Sequence, residues 1–364
     1  MKMTGNSRIQ SLILATTLSI GVCFASSASA RSYILDLNSN KMIGFGAPYH
    51  PGDINNTGQA VGYFDLAAGE KHAFITGPNG VGMTDLGTPG SWSYAFDIND
   101  AGQGVGIVSS RAFVTGPNGV GMTYLGQDGE WSYAYGINDA GQVVGKYPNA
   151  DDYIRAFITG PDGVGMRDLG TLGGNWSSAS GINDAGQVIG DSTAESGSTH
   201  AFITGPDGVG MRDLGTLGGN WSSASGINDA GQVVGYSSTA ESGSAHAFIT
   251  GPNGTGMTDL GTLGGYNSRA YDINEAGQVV GYFTSATGDQ HAFITGPNGE
   301  GMTDLNSLVE LPPGGVISNA LSINDAGQII VVTNIPEPET YALMLAGLGL
   351  IGFVAWRQKS GNRI

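Results

Sequence analysis

The chain has 364 residues, 31 of them acidic against 14 basic, and a formal charge of −17. Such a balance leaves no cationic footprint to displace the counterions of a nucleic acid and instead favours solubility and discourages non-specific contacts. Sixty-three glycines without a triplet period exclude collagen, and a single cysteine excludes a disulfide framework.

Residues 1–30 read as a secretory signal. Lys2 and Arg8 precede an apolar run from Leu12 to Phe24, and Ala28-Ser29-Ala30 supplies a small-residue exit. Cleavage is expected after Ala30. Cys23 lies within this segment, and Val22 before it is a poor fit to a lipoprotein site. The mature chain is therefore expected to lack thiols, disulfides and thiolate metal sites.

From Pro51 the chain repeats. An Ile-Asn pair recurs at Ile54, Ile98, Ile137, Ile182, Ile227, Ile273 and Ile323, at spacings of 44, 39, 45, 45, 46 and 50 residues. Each unit reads as four short strands: a ("SASGIN"), b ("QVVGYS"), c ("HAFITG") and d ("GMTDLG"), with Gly or Pro between them and no helical periodicity. The stretch Asn228-Asp-Ala-Gly231 is read as a tight a–b hairpin, and Gly251-Pro-Asn-Gly254 as the c–d turn. "INDAGQ" lacks the ladder of carboxylates that calcium requires. It reads as a corner.

Four strands in about 45 residues, repeated seven times, predict an all-β propeller with four-stranded blades. The seventh unit stops at strand b, while Ser32–Leu37 supplies a free strand that ends in the Asp-Leu of strand d. The expectation is a seven-bladed ring whose last blade is shut by strands from both termini, spanning 31–333. A six-bladed ring with a spare hairpin and an open solenoid are the alternatives. The markers "HAFITGP" and "GMTDLG" resemble the HAF repeat of extracellular bacterial proteins over Pro51 to Val332, a likeness that adds no chemistry.

In such a ring the a–b and c–d turns share one face, and the variable b–c and d–a loops share the other, where recognition usually sits. The d–a loops carry Trp92, Trp131, Trp176, Trp221 and Tyr266, expected as an arc around one channel mouth. Wedging between blades is the first reading of a repeated aromatic; stacking on sugar, as in a lectin, is the second. His72, His200, His246 and His291 start strand c, but Arg111 and Arg155 hold the same place in two units, so a hydrogen bond is expected rather than a metal site. Asp85, Asp168, Asp213, Asp259 and Asp304 recur in strand d as a structural signature. The asymmetric polar residues are Asp128, Glu130, Asp151, Asp152 and Tyr153. No nucleophile, phosphate or metal motif appears, so no catalytic residue and no cofactor is expected, with a polysaccharide hydrolase as the remote alternative.

Residues 334–364 begin with Pro336-Glu337-Pro338, continue through an apolar Tyr341–Trp356 and end in Arg357, Lys359 and Arg363. Sixteen apolar residues followed by cations suit a short membrane helix. The three parts together resemble the PEP-CTERM sorting signal. That resemblance implies an exosortase-like membrane protease as partner, a Gram-negative exopolysaccharide producer as host, and a surface or matrix protein whose tail is processed.

Overall fold

A computed structural model describes residues 30–334, apart from 47, 68, 88–90, 127–129 and 241–243. The signal peptide with Cys23, the expected tail helix, the sorting residues Pro336, Glu337, Pro338 and Arg357, and Asp128 lie outside the described residues.

The turns form as their residues dictate. In the fifth unit Gly231 N–H closes on the Asn228 carbonyl at 2.9 Å, with Gly231 at φ 71°. A Cβ there would sit 2.9 Å from Asn253 Cα, so close packing as well as backbone angle requires glycine. In the c–d turns Pro sets the entry, and the next residue (Asn79, Asn118, Asp162, Asp207, Asn253 or Asn298) takes φ between 52° and 56°. Asn and Asp tolerate that left-handed geometry better than other side chains. Helical structure among the described residues is confined to three-residue 3₁₀ turns.

Between the turns run the strands, in seven four-stranded antiparallel sheets. The first blade consists of Tyr49–Ile54, Ala60–Asp65, Lys71–Thr76 and Met83–Asp85, as strands a to d from the inside out. Blades two to six begin at Ser93–Ile98, Tyr133–Ile137, Gly173–Ile182, Gly218–Ile227 and Ser268–Ile273. The seventh takes Val316–Ile323 and Gln328–Asn334 from the C-terminal side and Ala30–Asp36 and Lys41–Gly44 from the N-terminal side. The ring is a seven-bladed propeller closed by both ends of the chain.

One detail of that closure departs from expectation. The strand read at Ser32–Leu37 as carrying the strand-d ending is the third strand of its blade, not the fourth. It pairs with Gln328–Asn334 in register from Ala30↔Asn334 to Asp36↔Gln328, and Lys41–Gly44 adds the outer strand. The physical reason is burial. Ile34 and Leu35 are fully buried, as a third strand demands, while Asp36 accepts the N–H groups of Asn38 and Ser39 and turns the chain back.

The core lies between blades rather than within them. Val61, Ala73 and Ile75 of the first blade pack with Ala95, Ile98 and Phe113 of the second, and comparable clusters recur around the ring. The Phe of each His-Ala-Phe or Arg-Ala-Phe marker (Phe74, Phe113, Phe157, Phe202, Phe248, Phe293) is fully buried, each worth about 1.5–3 kcal/mol. The Ala before it leaves room for a latch. Ala73 N–H donates to Ser93 Oγ of the next blade at 2.8 Å, and the same bond recurs at Ser132, Ser177, Ser222 and Ser268.

Candidate functional site

The propeller has a central channel with two unlike mouths. On the turn face, the Asn of each Ile-Asn pair donates from Nδ2 to the carbonyl of the equivalent Asn one blade on. Seven such bonds, 2.9–3.4 Å, run round from Asn55 to Asn324 and back to Asn55. Outside them a second circle forms, in which the backbone N–H of each following residue donates to the side chain of the next: Asn56 to Asp100, Asp139, Asp184, Asp229, Glu275, Asp325 and back. Burial, then neighbouring negative charge, pushes the Asp139 and Glu275 carboxyls up, against the N–H bonds they accept. The repeated hexapeptide is a corner, and it is also the clasp between blades.

Midway along the channel is a chamber of about 260 Å³, lined by Phe96, Tyr135, Tyr271, Ser180, Ser225 and three carboxylates. Asp53, Asp97 and Asp272 occupy a position on strand a that is Ser322 in the seventh blade and Gly136, Gly181 and Gly226 in blades three to five. Asp97 accepts from Ile98 N and Ile137 N, at 2.8 and 2.7 Å, so it bridges two blades. Asp272 does the same between Ile273 N and Ile323 N.

The five aromatics anticipated at the loop-face mouth sit unevenly. Trp92 is 41% and Tyr266 71% exposed. Trp131, Trp176 and Trp221 are half-buried. Trp176 and Trp221 lie inside strand a rather than in a loop, because those strands extend back to Gly173 and Gly218. Their backbone N–H groups bond to Thr193 Oγ1 and Ser238 Oγ, which draws the segment into the sheet. Among the described residues no two of the five rings touch.

Two of the five are nevertheless linked by residues the sequence reading passed over. Trp92 meets Tyr94 edge-on at 5.7 Å, Tyr94 stacks on Phe96 at 6.2 Å, and Phe96 reaches Tyr135 at 5.3 Å. Tyr135 continues to Tyr133 and Tyr133 to Trp131. On the other side Tyr94 meets Tyr63, which stacks on His50. This run crosses blades one to three and borders an open cleft of about 510 Å³ lined by Lys71, Trp92, Tyr94, Phe96 and Tyr133. Lys146 lies 5.0 and 5.3 Å from the centres of the Tyr133 and Tyr135 rings, within cation–π range. The signal was present in the sequence: strand a reads "SYAFDI" and "SYAYGI" in blades two and three but "SSASGI" in blades four and five.

The recurrent His and Asp residues pair with each other. Nδ1 of His72, His200, His246 and His291 lies 2.7–2.9 Å from Asp85, Asp213, Asp259 and Asp304 on the neighbouring strand d. Where Arg155 replaces His it faces Asp168, and where Arg111 does, the partner position is Tyr124, 4.8 Å below the guanidinium. Each such Asp also accepts the N–H two residues on, as Asp213 does from Gly215 and Asp304 from Asn306. Of the asymmetric polar residues, Glu130 borders a small cavity beside Trp131 and Tyr147, and Tyr153 lies over Arg155.

Beyond the propeller, sequence decides. Residues 334–360 match the PEP-CTERM protein-sorting motif. The motif marks an exported protein, sorted by an exosortase to the envelope or surface of a Gram-negative cell. No curated protein sequence matches the chain. Among solved structures, an oligogalacturonate lyase in complex with manganese superposes with a TM-score of 0.51 at 11% identity, over 87% of this chain and 96% of that one. The β-propeller domain of the Trilobed protease from Pyrococcus furiosus, described as having an open velcro topology, gives 0.51 at 11% identity over 77% and 87%. TolB from Acinetobacter baumannii gives 0.48 at 9% identity, with 77% of this chain covering 64% of that one. At such identities the likeness is one of fold.

Proposed function

We propose that this PEP-CTERM protein is a non-catalytic component of the cell surface or extracellular matrix that binds polysaccharide on the loop face of blades one to three. An exosortase-like membrane protease would read its tail through Pro336, Glu337, Pro338 and the basic Arg357. The observation that carries the binding role is the aromatic run from His50 to Trp131, which breaks the sevenfold repeat and opens to solvent at Trp92. Flat rings with a few polar groups at their edges suit the C–H faces of sugars, and a binding site has to depart from a scaffold's symmetry. Lys146, poised on two tyrosines, adds a cation for an acidic substituent. Trp176, Trp221 and Tyr266 extend the arc towards blades four to six. The resemblance of the units to HAF repeats, and the exopolysaccharide setting of the sorting system, fit the same reading.

The test uses the mature chain with the host's exopolysaccharide and a glycan array. Trp92→Ala should weaken binding by more than about tenfold, or about 1.4 kcal/mol, while Tm stays within about 2 °C. The Trp176→Ala, Trp221→Ala double variant should weaken it less. Unchanged binding in both, or a collapsed Tm with every aromatic replacement, sinks the lectin reading in favour of packing. Release of new reducing ends by the wild-type chain would replace it with a polysaccharide hydrolase.

A further inference from the structure

The seventh blade is the one assembled from both chain ends, so the seam of the ring runs between Ala30–Asp36 and Gln328–Asn334, and the C-terminal half of that blade meets the first blade across it. Ser322, on the innermost strand of the blade, makes that contact. Its Oγ lies 2.6 Å from Asp53 Oδ1 of the first blade and 2.9 Å from Asp272 Oδ2 of the sixth. A hydroxyl has one proton to donate. If both carboxyls are ionised, one of these short contacts is oxygen against oxygen with nothing between. Both hold as hydrogen bonds when one carboxyl keeps its own proton and donates it to Ser322.

Asp97 of the second blade borders the same chamber beside Asp53, so three carboxyls converge on blades six, one and two, where the remaining blades have glycine or serine. Tyr135 and Tyr271 are the other titratable groups lining the chamber, and among the described residues no Lys, Arg or His does. Burial pushes both tyrosines up to about 12, so they stay neutral.

We propose that a proton retained among Asp53, Asp97, Asp272 and Ser322 closes the ring, so that the seam tightens in acid and loosens as the proton is lost. Burial, and secondly the charge of Asp53, raises Asp272 to about 7 and holds Asp97 well above the usual carboxylate range, which agrees in direction. Loss of the proton sets like charges against each other where the C-terminal half of the seventh blade meets the first blade, a contact that no direct chain connection between those two halves reinforces. An exported chain meets a pH that the cytoplasm does not buffer, which gives the device a setting.

Hydrogen exchange on the mature chain tests this, with Val188–Ala194 of the fourth blade as an internal reference at each pH. Protection of Ala30–Asp36 and Gln328–Asn334 should fall up to about tenfold against that reference for each pH unit between about 4 and about 7, and stay low in mildly alkaline buffer. Asp272→Asn and Asp97→Asn, which mimic the protonated group, should each hold the seam closed in alkali and flatten the response. Ser322→Ala should lower seam protection in acid. Seam and reference moving together across pH in the wild type would overturn the proposal, as would an unaltered pH response in the Asn variants. The wild-type ratio decides by itself if a variant fails to fold.

Discussion

The fourth and fifth blades are the closest pair in the ring, and they differ where it matters. Ala156–Val188 recurs letter for letter at Ala201–Val233. The backbone follows: strand a is ten residues long in both, and Ser177 and Ser222 each donate to a glycine carbonyl at 2.6 Å. Just beyond the copied stretch, Asp191 stands in the fourth blade where Tyr236 stands in the fifth. Asp191 accepts from Ser223 Oγ at 2.9 Å, whereas the Tyr236 ring lies 4.4 Å under the Arg269 guanidinium. Each contact is made with strand a of the following blade. The copied stretch runs from strand c of one blade into strand a of the next and carries its own inter-blade latch, Ala156 N–H to Ser177 Oγ and Ala201 N–H to Ser222 Oγ, so residue identity changes where strand b meets the following blade.

The largest effects should fall on what the two blades share. Phe202→Ala and Phe248→Ala each empty a fully buried site between blades, and each should cost about 3–5 kcal/mol in denaturant unfolding. Similar losses would support equivalent cores. A mild effect at one site alone would mean that its blade relaxes in a way its twin does not. Next come the clasps. Asn183→Ala and Asn228→Ala remove a buried Nδ2 donor to the following blade and the Oδ1 acceptor for Gln187 N or Gln232 N. About 1–3 kcal/mol is expected for each, and additivity between the two would show that the circle is a sum of local bonds rather than one cooperative hoop.

Much of this architecture was legible before any coordinate. Period, turn residues and the truncated last unit give seven blades and a ring closed by its ends, because Gly and Pro mark each corner and the strands alternate between them. The circles of hydrogen bonds were not legible. Asn183 bonds to a residue 45 positions away that is chemically identical to itself, and a repeat hides which copy contacts which. The place of Ala30–Asp36 as third strand was missed because Asp36-Leu37 imitates the ending of strand d, although the burial of Ile34 and Leu35 belongs to strand c. The aromatic run was visible as a departure from "SSASGI". The tryptophans, which recur in four units, vary less than Tyr94, Phe96, Tyr133 and Tyr135 and so mask that departure.

Asp191 sharpens the comparison through pH. Burial pushes its carboxyl up to about 6 from an ordinary 3.8, despite the bonds from Ser223 and Ala224 N. A group whose folded-state affinity for protons is raised favours the fold most fully in acid, and that contribution is lost as pH climbs from about 4 to about 6. The full loss is at most about 3 kcal/mol, and Asp191 keeps part of its surface in solvent, so about 1 kcal/mol is expected. Asp191→Asn should therefore be more stable than wild type above that window and near equal to it below. The fifth blade has Tyr236 at this place and no such term. A difference curve without slope between those limits would show that Asp191 is solvated as an ordinary surface carboxylate.

The smallest effect belongs to the outer strands, where blades three and four solve one problem in two ways. Arg155 faces Asp168 at 3.9 Å, and His200 faces Asp213 at 2.7 Å, both on partly exposed ground. Such pairs contribute about 0–1 kcal/mol. If the station asks only for a donor opposite an aspartate, His200→Arg should leave stability within roughly 0.5 kcal/mol of wild type, because the third blade already carries that solution. Arg is longer than His, and its stem has to lie along the sheet as Arg155 does beside Tyr153; the fourth blade has Ser198 at that place instead. A loss well beyond that margin would mean the aromatic neighbour, not the aspartate, fits Arg to strand c. In that case Ser198→Tyr added to His200→Arg should recover the loss, and the two blades would prove interchangeable only as pairs of residues.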